Sequence, residues 1–340
     1  MHFPNTAGRT ALKSLRGLAA GAALASAFAT GALALDDVHL QTDWIPSGEH
    51  AAYYGAWSKG IYEKHGIDIT ITRGYGSGDT VTKLAGGAFD FGIADFGAVL
   101  AARAKLGMPI KTIGMVYTHS PHSLFVLESS GIEDFKDLEG KRIGITPGNS
   151  HKLYFPKVAE KAGTDPSKLV WTNTDGATMA PLLIQGKLDA APFYSIHYYY
   201  QNKAAEAAGE KIRVLPFEKV GFAIYAASII TTEKMIEDNP DLVERFLAAT
   251  YEAYEWARDN PEEACTLHTE RVPEVAMDDC LGSLAAVNGF IFNEHSEETG
   301  LGDFSPERLA FTWDVVKEAQ EIDSDFDPAE TLDTSLLPGE

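Results

Sequence analysis

The feature that most constrains the fold is an alternation of strand-like and helix-like segments that starts again midway along the chain. Residues 38–44 alternate polar and apolar side chains like a strand, residues 51–64 carry an apolar stripe at helical spacing, and residues 67–72 alternate again. From His122 onward the same order of strands and helices begins a second time. This rhythm predicts an α/β protein whose mostly parallel sheets are flanked by helices.

The two repeats of this rhythm predict two lobes. We assign residues 36–121 to a first lobe and residues 122–222 to a second, and we expect the helix-rich residues 223–335 to return to the first. The two chain crossings between the lobes would then act as a hinge. Because open α/β sheets bind ligands outside the carboxyl ends of their strands, two such lobes predict a ligand cleft between them.

The N-terminus has the pattern of an export signal. Arg9, Lys13 and Arg16 precede an uncharged run rich in Ala and Gly, which ends in Ala-Leu-Ala at residues 32–34. A basic start, a short apolar centre and a small-x-small ending are typical of a cleaved secretory signal, here residues 1–34. An uncleaved membrane anchor is the alternative. We therefore expect export, most simply to a Gram-negative periplasm.

The charge of the chain excludes several kinds of partner. It carries 49 Asp and Glu against 28 Lys and Arg, a formal net charge of −21. No stretch has the clustered basic residues that neutralise phosphates, so nucleic-acid binding is not expected. Docking on an anionic membrane surface is disfavoured for the same reason.

The chain has two cysteines, Cys265 and Cys280. In an oxidising compartment a disulfide between them is plausible, and two separate buried thiols are the alternative. A zinc site is not expected, because no second cysteine pair or histidine cluster completes four ligands.

Three turns at predicted strand ends carry candidate binding residues. In the first turn, Trp44 offers a flat face for stacking and His50 a hydrogen-bonding ring. The turns at residues 74–79 and 144–150 are Gly-rich and expose backbone N–H groups at helix starts. Each turn also has a purely structural interpretation, with the Trp in the core and the glycines serving only the turn.

Aromatic and acidic side chains recur near these predicted strand ends. The candidate ligand-binding residues are Trp44, His50, Tyr53, Gly78, Asp79, Asp95, Phe96, Tyr117, Gly148, Asn149, Ser150, Tyr154, Phe193 and Tyr194. Arginine is sparse there, with Arg73 the nearest, whereas a bound sulfonate or phosphate usually requires a guanidinium. The aspartates either cap helices or accept hydrogen bonds from an amino-substituted ring. This composition favours a neutral or amino-bearing aromatic heterocycle over a small anion.

Signals for catalysis are weak. The chain lacks a Gly-x-Ser-x-Gly elbow and an HExxH motif. Ser120 and Ser195 each lie two residues before a histidine, but neither pair has a recognisable third member. We therefore predict a binding protein with no cofactor rather than an enzyme.

Several segments resemble a known family. They read DWIPSGEHA at 43–51, GGAFDFGIA at 86–94, DLEGKRIGITP at 137–147 and LIQGKLDA at 183–190. Together they resemble the periplasmic substrate-binding proteins of ABC importers, in the family shared by thiamine-pyrimidine, sulfonate, taurine and nitrate binders. The resemblance is nearest to the thiamine-pyrimidine branch and implies a two-lobed type II periplasmic-binding-protein fold.

The same resemblance implies a role. A monomeric protein would capture a thiamine-precursor pyrimidine or a similar heterocycle and deliver it to a permease and its ATPase. In the pyrimidine binders, a Trp and a His of the first turn and aromatics from both lobes hold the ring, which matches Trp44, His50, Tyr117 and Tyr194 here. The alternatives are a sulfonate, taurine or nitrate binder and a pyrimidine-synthase-like enzyme. The fungal synthases use a Cys-rich motif linked to iron, whereas residues 191–197 here contain no Cys.

Overall fold

The computed structural model describes residues 34–339, so the predicted signal segment falls outside the described residues except for Ala34. None of the helices formed by residues 34–339 combines the length and apolar character needed to cross a membrane.

The described residues form ten β-strands. They are β1 (Asp36–Gln41), β2 (Ile67–Thr72), β3 (Phe91–Asp95), β4 (Ile110–Met115), β5 (His122–Leu127), β6 (Arg142–Ile145), β7 (Val170–Asn173), β8 (Ala191–Tyr194), β9 (Ile212–Pro216) and β10 (Ala227–Thr232).

The same residues form thirteen α-helices, which follow the strands in the first two thirds of the chain and dominate the last third. They are α1 (Ala51–Lys59), α2 (Ile61–Lys64), α3 (Ser77–Ala85), α4 (Phe96–Leu106), α5 (His151–Lys161), α6 (Gly176–Ile184), α7 (Tyr198–Ala207), α8 (Glu233–Asp238), α9 (Pro240–Asp259), α10 (Pro261–Arg271), α11 (Met277–Ile291), α12 (Glu294–Thr299) and α13 (Pro306–Ala319). The single helix predicted over residues 51–64 is divided because Gly60 adopts φ +79° and ends α1.

The described strands form a five-stranded, a three-stranded and a two-stranded sheet. The two smaller sheets are joined by an isolated bridge and are together called the second sheet here. The first sheet has the order β2-β1-β3-β10-β4. In the second, β5 lies between β8 and β9, β6 pairs with β7, and a parallel bridge between Ile143 and Ala190 places β6 beside β8. The α/β class is therefore confirmed. The strand at residues 227–232, β10, returns to the first sheet and pairs with β3.

The prediction of mostly parallel sheets needs one correction. β10 runs antiparallel to both of its neighbours, and so does β5. Each of these is the first strand after the chain crosses from one sheet to the other. A strand that follows a short crossing starts at the edge of the sheet where the chain crosses and runs away from that edge. A strand parallel to its neighbours would require a longer crossover connection.

The C-terminal helices cover the first sheet and extend to the second. α9 buries an apolar stripe, and its Phe246 stacks on Phe91 of β3 with ring centroids 3.8 Å apart. α10 packs on α1, while α13 packs against both α4 and α5. A disulfide joins Cys265 of α10 to Cys280 of α11, which confirms the predicted pairing.

Candidate functional site

A cavity lies where turns that follow strands of the first sheet meet turns and strand ends of the second. It is narrow, with a cavity volume of about 30 Å³. The residues that line it are Asp43, Trp44, Gly76, Ser77, Asn149, Ser150, His151, Pro192, Phe193, Tyr194 and His197. Its walls thus combine three aromatic rings with carboxylate, hydroxyl, amide and imidazole groups from both sheets.

Five of the predicted binding residues line this cavity: Trp44, Asn149, Ser150, Phe193 and Tyr194. They were identified from their position at predicted strand ends, and the structure places them at strand ends or in the turns that follow. Burial differs among them, since Trp44 is half-buried and Tyr194 is 6% exposed.

The two glycine-rich turns contact each other, and residues of both turns also line the cavity. The Gly78 N–H donates a hydrogen bond to the Gly148 carbonyl at 3.0 Å. Gly76 has φ +124°, and a Cβ there would lie 2.9 Å from the Gly148 backbone. Only glycine permits this approach, so the turns form a contact between elements of the two sheets.

The prediction that aspartates cap helices is confirmed for Asp95 and wrong for Asp79. Asp95 caps α4, because its Oδ1 accepts hydrogen bonds from the N–H groups of Gly97 and Ala98. For Asp79 the capping interpretation is wrong, since α3 already begins at Ser77. The Asp79 carboxylate instead accepts a hydrogen bond from Gln41 at 3.0 Å and forms an ion pair with Lys83 at 2.8 Å.

Glu49 links three elements behind the cavity. Its Oε2 is 2.7 Å from Nε2 of His197, which follows β8, and its Oε1 accepts a hydrogen bond from the Tyr117 hydroxyl at 3.1 Å. Burial alone would raise the pKa of the Glu49 carboxyl, but the His197 hydrogen bond and the neighbouring histidine charges lower it. Glu49 and Tyr117 therefore support the cavity wall by holding His197.

Asp43 and His50 form a second buried pair. His50 Nε2 lies 3.5 Å from Asp43 Oδ1, at the outer limit of a hydrogen bond. Burial lowers the pKa of His50, yet the nearby carboxylates of Asp43 and Glu49 outweigh it and raise the pKa above its ordinary value. His50 is fully buried and stands behind the cavity, whereas Asp43 reaches its wall.

Side-chain oxygens and nitrogens of Asp43, Glu49 and His50 lie within 4.8 Å of one another, as in a metal site. The Ser47 N–H, however, donates to His50 Nδ1 at 3.3 Å, which leaves the proton of the neutral ring on Nε2, facing Asp43. Both Glu49 oxygens already accept hydrogen bonds. These residues therefore fit a hydrogen-bonded cluster better than a metal centre.

A third buried cluster surrounds Asp95. The Tyr154 hydroxyl donates to Asp95 Oδ1 at 2.6 Å, and His122 Nε2 is 3.3 Å from Oδ2. Burial raises the pKa of Asp95 to about 7, and burial also holds the pKa of His122 well below its ordinary value. Ser120 Oγ lies 2.8 Å from His122 Nδ1.

This Ser120–His122–Asp95 chain supplies the third member that the sequence did not reveal. It resembles a catalytic triad in composition, but none of the three residues lines the cavity, and Ser120 is 7% exposed. A nucleophile must reach its substrate, so this arrangement serves the packing between the sheets.

Two predicted aromatic residues face the core. Tyr53 lies on the side of α1 that packs against α9, where its hydroxyl contacts that of Tyr254. Phe96 begins α4, and its ring packs against Tyr225 and Phe304. Both sit near the predicted strand ends in sequence, but their helices direct the side chains away from the cavity.

Six cavity residues were not among the predicted binding residues: Asp43, Gly76, Ser77, His151, Pro192 and His197. His151 Nδ1 is 3.0 Å from the Asn149 side-chain oxygen and Nε2 is 3.0 Å from the Phe193 carbonyl. Burial lowers the pKa of His151 to about 3, so the ring is neutral. The available signal for His151 was its position directly after the predicted turn at residues 144–150.

Comparison with known proteins decides the family. The family model described as NMT1/THI5 like matches residues 47–264, from the first turn to α10. The chain belongs to this family. Its members therefore share the segment that contains most of the cavity wall.

Two relatives show how names vary among similar chains. The riboflavin-binding protein RibY of Chloroflexus aurantiacus is 25% identical over 311 residues, covering 90% of this chain and 87% of that protein. A 4-amino-5-hydroxymethyl-2-methylpyrimidine phosphate synthase of Legionella pneumophila is 27% identical over 241 residues, covering 70% of this chain and 74% of the synthase.

Among solved structures, the alkanesulfonate-binding protein SsuA of Xanthomonas axonopodis pv. citri, bound to MOPS, superimposes with a TM-score of 0.69. It is 15% identical, and the match covers 87% of this chain and 97% of that one. The family member described here thus has the type II periplasmic-binding-protein fold, as predicted.

Proposed function

We propose that the protein is the solute-binding component of an ABC importer and binds an aromatic heterocycle of the thiamine-precursor pyrimidine type. It would act in the periplasm as a monomer, after loss of the signal segment, and deliver its ligand to a permease and its ATPase. The proposal includes no catalytic step. Residues 36–121 with 223–335 and residues 122–222 are its two lobes.

One observation carries this proposal. The Tyr194 hydroxyl and His197 Nδ1 are buried without hydrogen-bond partners, and both residues line the cavity. Buried polar atoms are nearly always paired, so two such atoms on one cavity wall support a ligand that supplies the partners. A flat ring that carries amino and ring-nitrogen groups does so while it contacts Trp44 and Phe193.

The contact between the glycine-rich turns bears on the sulfonate alternative. That alternative uses the backbone N–H groups around residues 77–79 and 148–150 to hold an anion. The Gly78 N–H is already donated to Gly148. A heterocycle in the aromatic cavity therefore agrees better with the geometry than an anion between the turns.

A synthase is the second candidate, because several relatives of similar identity carry that name. The two candidates differ in their products. A binding protein returns the ligand unchanged, whereas a synthase converts its substrate. Turnover assays with purified protein, together with measurement of its iron content, separate them.

A ligand panel tests the proposal. Thermal shift and tryptophan fluorescence are measured with an aminopyrimidine, riboflavin, taurine and nitrate, and a bound ligand raises the melting temperature by mass action. We expect an aromatic heterocycle to give the largest shift. Trp44→Ala should weaken its binding by about 1–3 kcal/mol if the indole stacks on the ring. Trp57→Ala, a half-buried Trp that packs beside Tyr54 in the core, is the control.

Taurine or nitrate binding more tightly than every heterocycle would contradict the proposed ligand class. Equal affinities of the Trp44→Ala and Trp57→Ala variants for the heterocycle would remove Trp44 from the binding site.

A further inference from the structure

A further recess, called the outer recess here, shares Trp44 with the cavity. Trp44 lines both spaces, and its indole is so close to Gly176 that a Cβ there would lie 2.9 Å from the ring. The outer recess is lined further by Arg73, Tyr75 and Thr146. A ligand whose ring contacts Trp44 could therefore extend a substituent into this recess.

Two polar groups of the recess have no partner. Nε of Arg73 is buried without a hydrogen bond, and so is Oγ1 of Thr146, whose residue is 6% exposed. The Arg73 guanidinium carbon lies 4.4 Å from the centre of the Tyr75 ring, which orients the side chain. A buried guanidinium N–H and a buried hydroxyl both require a hydrogen-bond acceptor.

Two carboxylates also line the recess, and both are engaged. Asp79 pairs with Lys83 and accepts from Gln41, while Asp175 Oδ1 accepts the Ala177 N–H at 2.8 Å at the start of α6. Lys83 balances the charge of Asp79. The donors left over for a ligand are thus those of Arg73 and Thr146.

We propose that this outer recess is a subsite for a carboxylate or phosphate substituent of the cleft ligand, bound by Arg73 and Thr146. The inference deepens the proposed function and rests on it for the position of the ring. A guanidinium matches the geometry of these oxyanions and makes charge-assisted hydrogen bonds to them. The sequence favoured a neutral ligand because Arg73 was isolated among acidic turns, whereas the fold brings it to the cleft.

The test compares matched ligands with and without the anion. Affinities are measured by calorimetry for riboflavin against riboflavin 5′-phosphate and for an aminopyrimidine alcohol against its phosphate. We expect at least one phosphorylated form to bind about tenfold or more tightly than its parent. Arg73→Gln should abolish that preference, and Thr146→Val, which keeps the shape, should reduce it. Lys136→Gln removes one positive charge at an exposed site and should keep it.

Inorganic phosphate separates this proposal from the one it rests on. We expect phosphate alone to raise the melting temperature of the wild type and of Lys136→Gln, but less in Arg73→Gln. If no ring binds and phosphate still acts through Arg73, the proposed ligand class fails and the subsite stands. The subsite would be overturned if each heterocycle and its phosphate bound with equal affinity and Arg73→Gln left both affinities unchanged.

Discussion

The buried contact between Glu49 and His197 gives the sharpest prediction of stability. Glu49 follows the first strand of the first sheet and His197 follows β8 of the second, and their side chains are each 3% exposed. The Glu49 carboxylate accepts buried hydrogen bonds from His197 and Tyr117, and hydrogen bonds to a charged group contribute about 1.5–3 kcal/mol. Gln retains the shape but not the charge, so we expect Glu49→Gln to lower the free energy of unfolding by about 2–3 kcal/mol.

A matched pair elsewhere supplies the control. His65 and Glu252 are 2.8 Å apart, nearly the same distance, but their side chains are 21% and 35% exposed. Exposed pairs contribute about 0–1 kcal/mol, so Glu252→Gln should cost less than about 1 kcal/mol. Glu252 also pairs with Lys64 at 2.7 Å, so each of the two glutamates has two partners and the contrast tests the effect of burial.

Urea unfolding at pH 7, with a double-mutant cycle between Glu49→Gln and His197→Gln, measures the effect. The pKa of Glu49 is lowered in the folded protein, so its contribution is complete above the ordinary pKa of a glutamate and is lost as the pH falls through the folded value. Neutral pH therefore reports the full effect. A loss no larger than that of Glu252→Gln, or a coupling energy near zero, would refute this reasoning.

Three further predictions concern other parts of the fold. Gly148→Ala should destabilise the protein by about 1–3 kcal/mol more than Gly87→Ala. Both glycines have φ near +80°, but only a Cβ at Gly148 would contact a neighbour, at 3.1 Å from the Asp79 backbone. Equal melting temperatures of the two variants would contradict the contact between the turns. His151 has a pKa of about 3 in the folded protein, so its imidazole takes up a proton only in the unfolded state as the pH falls. The free energy of unfolding should therefore decrease by about 2 kcal/mol between pH 6.5 and 5.0. An unchanged pH dependence in His151→Gln would show that another group is responsible. Replacing Cys265 and Cys280 with Ala should lower the free energy of unfolding by about 2–4 kcal/mol in a denaturant titration. Reducing agent should then have no further effect on this variant. If reducing the unfolded wild-type protein did not change its stability, the disulfide would be contradicted.

Much of the fold was readable from local patterns. The strand predicted at residues 67–72 matches β2 to the residue, because the alternation of apolar and polar side chains marks its bounds. The pattern at residues 51–64 predicted one helix, whereas the structure has two. An apolar stripe shows which face of a helix is buried, but it does not show that Gly60 adopts φ +79° and ends α1.

The candidate site could be predicted only in part, because side-chain directions and long-range contacts depend on packing. Trp44, Phe193 and Tyr194 were found because strand ends meet at the cleft, a property of topology. The direction of a side chain on its helix depends on packing, which is why Tyr53 was misplaced. Glu49 and His197 are 148 residues apart, and no local pattern relates them.

Native mass spectrometry of the purified protein, followed by release of its ligand under mild denaturation, tests the proposed binding function most directly. We expect one aromatic heterocycle per chain, released chemically unchanged, and its loss from the Trp44→Ala variant. A sulfonate or nitrate in the released fraction, or conversion of the heterocycle by the purified protein, would contradict it.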